Sequence, residues 1–336
     1  MTRRIRTSAL AFAAAMLAAG GASAADNKAQ PNIDKFLAMG SGARAGVFHP
    51  VAQGVCDMVN KDRLVHGLRC LNYETGGAVY NMQAVSFGTV QLGIARSDLS
   101  YQAYTGTGVF DDEPPIEDLR AVASLYSVPV AVIAKRSLGL ASVADIKGKR
   151  LNIGNEGSGK RELSAFILSA MGWTRSDFAA TTEHDTGPMV KAFCDGEIDV
   201  IVEGLGNPAK LYADLTEKCD GQFLPFPRET IEKLKADYLY YSDMPIPGGM
   251  YAGTEDQVAS FGYRAVLVTS RKVHPDAIYK VLATLADNIG EFRAKHPSLD
   301  ILTPQAMANF GIYIPLHDGA ARYYKQHNLL ESAAGK

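Results

Sequence analysis

The segment with the most chemistry in it is Gly154-Asn155-Glu156-Gly157-Ser158-Gly159-Lys160-Arg161, which follows an apolar run and opens a helical pattern. A glycine-rich loop in that setting lets backbone N–H groups approach an anion, and the following helix adds its positive end. The spacing falls one residue short of the G-x-x-x-x-G-K-[ST] phosphate loop, because Arg161 stands where a magnesium-binding Ser or Thr belongs. The same backbone suits a carboxylate instead, with Lys160 or Arg161 supplying charge.

Other reactive constellations are sparse. There is no G-x-S-x-G elbow, and the seven histidines show no H-E-x-x-H or other close metal spacing. Glu197 and Asp199 flank a short apolar strand without a partner acid or base nearby in sequence. Trp173 reads as core or surface, whereas Tyr101, Tyr104 and Tyr126 are candidates for a cleft. The chain is therefore expected to bind rather than to make bonds, as a non-enzyme without a cofactor or a metal.

The elements that must position these residues alternate between short apolar strands and helices. Strands are expected at 35–39, 67–73 and 90–95, with helices at 50–60 and 78–87. A long extended stretch from Leu119 to Ile133 contains Pro129, where a break is expected as the chain passes from one sheet to another. A second series follows, with strands at 151–154 and 198–202 and helices at 161–171 and 189–194. After the Pro/Gly-rich passage 244–253 come a strand at 263–269, a helix at 275–292 and a tail over 303–330. Strands each followed by a helix imply parallel sheets with covered faces, and ligands in such sheets bind beyond the carboxyl ends of the strands. That rule gathers Gly40-Ser41-Gly42, Arg96-Ser97-Asp98, residues 155–160 and Glu203-Gly204 around one cleft.

Residues 1–24 carry Arg3, Arg4 and Arg6, a short apolar run and an Ala22-Ser23-Ala24 ending, the pattern of a cleaved secretory signal peptide. Its removal takes three of 34 basic residues and none of 36 acidic ones, leaving 31 against 36 and a net charge of −5. A mildly acidic chain argues against nucleic acid as a partner. The four cysteines, expected in an oxidising compartment, allow three pairings; Cys56–Cys70 with Cys194–Cys219 is preferred because each bond stays within one lobe.

Nearly the whole mature chain, from about Phe36 to Leu330, resembles the TAXI family, the solute receptors of one class of tripartite ATP-independent periplasmic (TRAP) transporters. The resemblance rests on an ordered set: residues 74–81 (ETGGAVYN), 92–98 (LGIARSD), 143–150 (VADIKGKR), the Gly157-Ser158-Gly159 loop, 195–199 (DGEID), 246–251 (IPGGMY) and 314–317 (IPLH). The VADIKGKR and GEID stretches alone indicate only the fold. Lys160 departs from the pattern, standing where a small hydroxyl residue is common, and Asp318 replaces a frequent Pro.

The resemblance implies an α/β, type II periplasmic-binding-protein fold: two α/β lobes joined by extended hinge segments and closing on a ligand. The lobes are expected at 25–126 with 256–336, and at 127–255. It further implies a periplasmic protein, a glutamate-like amino acid or a dicarboxylate such as 2-oxoglutarate as ligand, and an ion-driven membrane permease as partner. A ligand sensor docking on a signalling protein is the alternative on the same fold. Ser41, Ser97, Ser158 and Gly159 fall at the family's pocket positions. Cleft geometry adds Tyr101, Tyr126, Asn155 and Glu203, and the loop adds Lys160.

Overall fold

The computed structural model describes residues 35–331, apart from positions 45 and 157. The signal peptide expected over residues 1–24 and the Gly157 amide lie outside the described residues.

Ten strands form the sheet framework: β1 (Phe36–Gly40), β2 (Arg69–Tyr73), β3 (Leu92–Arg96), β4 (Leu119–Lys135), β5 (Arg150–Asn152), β6 (Ala180–Thr182), β7 (Val200–Gly204), β8 (Gly221–Phe223), β9 (Ser242–Asp243) and β10 (Phe261–Ser270). Their order is β2-β1-β3-β10-β4-β7-β5-β6, with β8 beside β4 and β9 beside β10. Within the first half β1 runs parallel to β2 and β3, and within the second β5 runs parallel to β6 and β7. β10 is antiparallel to both β3 and β4.

The near-continuous apolar runs follow from burial on both faces. In β10, Ala265 and Leu267 enter one core while Val266 and Val268 enter another; in β4, Val130 and Val132 alternate in the same way with Ala131 and Ile133. Helices supply the covering layers: Phe48–Lys61 and Pro275–Asp287 pack one face of the first half, and Ala78–Ser86 and Ser97–Thr105 the other.

The extended stretch differs from expectation in one respect. β4 runs unbroken through Pro129 for 17 residues. Its partner changes there instead: β10 pairs with it up to Pro129, and β7 from Val130 onward. Two register irregularities against β10 fall earlier in β4, at Ala265/Val266 and Leu267/Val268 of β10. The helix expected at 275–292 is divided, Pro275–Asp287 and Ile289–Arg293, because Asn288 leaves helical geometry and its side-chain amide donates to the Thr284 carbonyl at 3.0 Å.

Both disulfides form as expected. Cys56–Cys70 ties helix Phe48–Lys61 to β2, and Cys194–Cys219 ties the ends of helices Thr186–Cys194 and Lys210–Lys218.

Candidate functional site

A cavity of about 180 Å³ opens where the parallel strands of both halves end. Its walls are the loops after β1, β2, β5 and β6, the last residues of β3 and β7, and Tyr263 of β10. Helices Phe48–Lys61, Ala78–Ser86, Gly159–Ala170 and Thr186–Cys194 all begin at or beside this space. The first-turn N–H groups of a helix have no intrahelical acceptor, so four such ends converging on one volume favour negative charge there.

The glycine-rich loop is built to present the start of helix Gly159–Ala170. Gly154 has φ +86°, and a side chain on it would run into Lys160 Cγ. Ser158 caps the helix: its hydroxyl donates to the Asn155 carbonyl at 2.6 Å and accepts from the Arg161 N–H at 3.2 Å. Arg161 turns back over the loop, donating to the Gly154 carbonyl at 3.1 Å and pairing with Glu183 at 2.9 Å. The residue that departs from a phosphate loop thus latches the turn. Asn155 lines the cavity, and its buried side-chain Oδ1 has no partner among the described residues.

Lys160 enters the cavity from this loop with only 7% of its side chain exposed. Its Nζ donates to Thr186 Oγ1 at 2.7 Å and lies 3.6 Å from Asp185 Oδ1 and 3.9 Å from Glu203 Oε2. Glu203, at the end of β7, is 10% exposed, and its Oε1 accepts from the Gly204 N–H at 3.1 Å. Two acids therefore face one ammonium.

Arg96 supplies the second cation. It ends β3, is 4% exposed, and forms a two-pronged pair with Asp98, whose Oδ2 also accepts from the Tyr241 hydroxyl at 3.2 Å. Its guanidinium sits 4.2 Å above the Tyr263 ring, and Nη1 donates to the Gly159 carbonyl at 2.5 Å, so it joins the first half of the sheet to the helix of the second. Burial opposes its charge, but Asp98 and then the Tyr263 oxygen more than offset this and hold its pKa above the ordinary arginine value.

Of the nine residues expected at the site, Asn155, Ser158, Gly159, Lys160 and Glu203 line this cavity. The other four have different tasks. Ser41 is fully buried beside it, donating to the Tyr73 carbonyl at 2.8 Å and fixing the loop after β1. Ser97 accepts from the Arg264 N–H at 3.0 Å and joins a helix start to β10. Tyr101 packs against Tyr240 on a separate surface depression. Tyr126 lines a second cavity at the crossing of β4 and β10. Arg96, which the strand-end rule gathers around the cleft, lines it as well, and Tyr263, Asp185 and Thr186 join the walls without having been singled out.

Among the described residues no group of three or more His, Cys, Asp or Glu is placed to hold a metal ion, and no helix is long and apolar enough to cross a membrane.

Solved structures share this architecture. The periplasmic binding protein BugD superposes with a TM-score of 0.54 at 12% identity, over 88% of this chain and 95% of its own. PhnD1 from Prochlorococcus marinus, in complex with methylphosphonate, gives 0.53 at 10% identity over 88% and 99%. A Xanthomonas citri protein bound to ATP gives 0.51 at 11% identity over 87% and 95%. At such identities the likeness speaks to the fold alone, a mixed α/β fold with a central sheet and covering helices, as in periplasmic binding proteins. The model of the NMT1-like family matches residues 39–327, and the chain belongs to that family.

Proposed function

We propose that this protein is an exported, periplasmic solute-binding receptor of the TAXI type that delivers a small carboxylate to a TRAP-type membrane permease. The two halves of the sheet act as two lobes, 25–126 with 256–336 and 127–255, closing on the ligand about the crossings of β4 and β10. The observation that carries this reading is the charge layout of the cavity: Lys160 faces Glu203 and Asp185, and Arg96 lines the same space, where four helix starts converge. A carboxylate meets the helix starts and Lys160. Glu203 and the Asn155 amide oxygen, which has no partner among the described residues, receive an ammonium. A zwitterion matches both, which favours a glutamate-like amino acid over a plain dicarboxylate such as 2-oxoglutarate. At about 180 Å³ the space is smaller than the roughly 300–1,000 Å³ of drug-sized sites and suits a small metabolite.

The role is binding without turnover. Closure is worth only a few kcal/mol, since a receptor that shut more firmly would not release its cargo.

A thermal-shift screen of mature protein, refolded free of carried-over ligand, tests the reading against amino acids, dicarboxylates, keto acids and nucleotides. A rise in melting temperature with glutamate or a related acid is expected, because a ligand of the folded state stabilises it. A shift with nucleotide alone would overturn the carboxylate reading.

A further inference from the structure

β4 and β10 carry a second cavity, of about 570 Å³, that shares no lining residue with the first. Its walls come from Leu125–Pro129, Arg264, the Asn207-Pro208 turn, the loop over 243–250 and the segment 297–310. Tyr263 and Arg264 are neighbours in β10, and strand alternation separates them: Tyr263 faces the first cavity and Arg264 the second.

Arg264 is positioned but not neutralised. Its Nε donates to Ser124 Oγ at 2.9 Å and Nη1 to Ser127 Oγ at 2.8 Å, while Nη2 reaches the Leu125 carbonyl at 3.5 Å. Neutral partners hold the fork in place and leave N–H groups to spare. Among the described residues no carboxylate forms an ion pair with it, and burial lowers its pKa to about 10, against a smaller opposing effect of the Tyr313 oxygen.

Among the described residues, three buried polar atoms of side chains lining this cavity have no hydrogen-bond partner: Tyr126 Oη, Ser298 Oγ and Asn207 Nδ2. Tyr126 is 2% exposed and Ser298 9%. A buried donor left unpaired is costly, so such atoms on one set of walls ask for an occupant. All three carry hydrogens to donate. Gly206 lets them gather, since a Cβ there would stand 2.6 Å from the Tyr126 ring and 2.8 Å from Ser298 Oγ.

We propose that this cavity binds a small monocarboxylate with an apolar body, its carboxylate held by Arg264, with Ser298 and Asn207 on the same walls as further donors. The guanidinium fork matches a carboxylate geometrically. Met250, Ile301, Phe310 and Pro247 give the remainder of the ligand an apolar wall. Asp300 and Asp243 also line it, the latter paired with Lys235, and they disfavour a second negative charge on the ligand. This separates the site from the first cavity in the class of acid that it takes.

Benzoate is the probe, titrated into full mature protein while arginine Nε–H resonances are followed by ¹⁵N-edited spectroscopy. Saturable binding that shifts the Arg264 resonance is expected in the wild type. Arg264→Gln weakens it tenfold or more, and so does Ile301→Trp, which fills the mouth at a residue 84% exposed and thus leaves the core untouched. Lys160→Met, which disables the first cavity, leaves benzoate affinity within twofold. Succinate binds at least tenfold more weakly than benzoate. The inference is overturned by an absence of saturable benzoate binding, by unchanged affinity in Ile301→Trp or in folded Arg264→Gln, by loss of benzoate in Lys160→Met, or by equal affinity for succinate.

Discussion

Lys160 Nζ lies 3.9 Å from Glu203 Oε2, with the two side chains 7% and 10% exposed and carried by different elements, a helix start and a strand end. An ion pair so enclosed is sustained by further partners, which Thr186 and Asp185 provide to the lysine and the Gly204 N–H to the glutamate. Removing either charge leaves its partner exposed to a ligand of opposite sign.

Lys160→Met is therefore expected to weaken carboxylate binding by tenfold or more, about 1.4 kcal/mol, measured by titration calorimetry with L-glutamate. The variant also melts at lower temperature than the wild type, because Glu203 is left largely buried without this cation. Unchanged affinity would remove Lys160 from the site.

Glu203→Gln separates the two ligand classes. It abolishes the acceptor charge for an ammonium while keeping the shape and the hydrogen bond to Gly204. Affinity for L-glutamate is expected to fall at least tenfold relative to that for 2-oxoglutarate, read from parallel calorimetric titrations. An equal loss for both ligands would assign Glu203 to holding Lys160 alone.

How far the site is legible in the sequence depends on what each residue touches. The loop 154–161 announces itself, because closely spaced glycines before a helix have few uses other than close approach, and Glu203 is visible as an acid ending an apolar strand. Both line the cavity. Ser41 and Ser97 lie beside correct loops, but their hydroxyls serve the Tyr73 carbonyl and the Arg264 N–H, partners 32 and 167 residues away that no local pattern reveals. Tyr126 and Tyr263 sit on strands whose facing depends on the β4–β10 register, and two irregularities in that register defeat a simple alternation count. The fold was more legible than the site, since strand and helix periods are local and the partner change at Pro129 is not.

The disulfides should differ in their contribution. In the chain-entropy account, Cys194–Cys219, closing 25 residues, contributes about 3.5 kcal/mol, and Cys56–Cys70, closing 14, about 3 kcal/mol. Urea unfolding of Cys194→Ser/Cys219→Ser and Cys56→Ser/Cys70→Ser should show losses in that order. No loss in either pair would contradict a structural role.

Stability should also fall as pH drops below 6.5. His317 is 1% exposed and caps helix Asp318–Gln326: Nδ1 accepts from the Gly319 N–H at 3.1 Å, so Nε2 carries the proton given to the Val273 carbonyl at 3.0 Å. Burial holds its pKa below 6.5, with the Val273 carbonyl and Asp318 opposing and Arg120 assisting. His66 and His296 are lowered for the same first reason, burial. The unfolded chain binds these protons more readily, so the stability they confer is complete above pH 6.5 and erodes as pH falls from 6.5 through the lower folded values. Buried-pair carboxylates such as Asp199 are lowered from 3.8, chiefly by Arg150, and act only in more acidic solution. Melting temperature should fall between pH 7 and 5, and His317→Asn, which keeps a capping side chain, should flatten the slope. A rise on acidification would contradict this.

The cavity between the two halves is proposed to carry a small carboxylate. The most direct measurement is to denature protein purified without refolding and identify the released small molecule by mass spectrometry, beside Lys160→Met prepared identically. An amino acid or related carboxylate approaching one per chain is expected, sharply depleted in the variant. A nucleotide, or a ligand retained equally by both proteins, would contradict it.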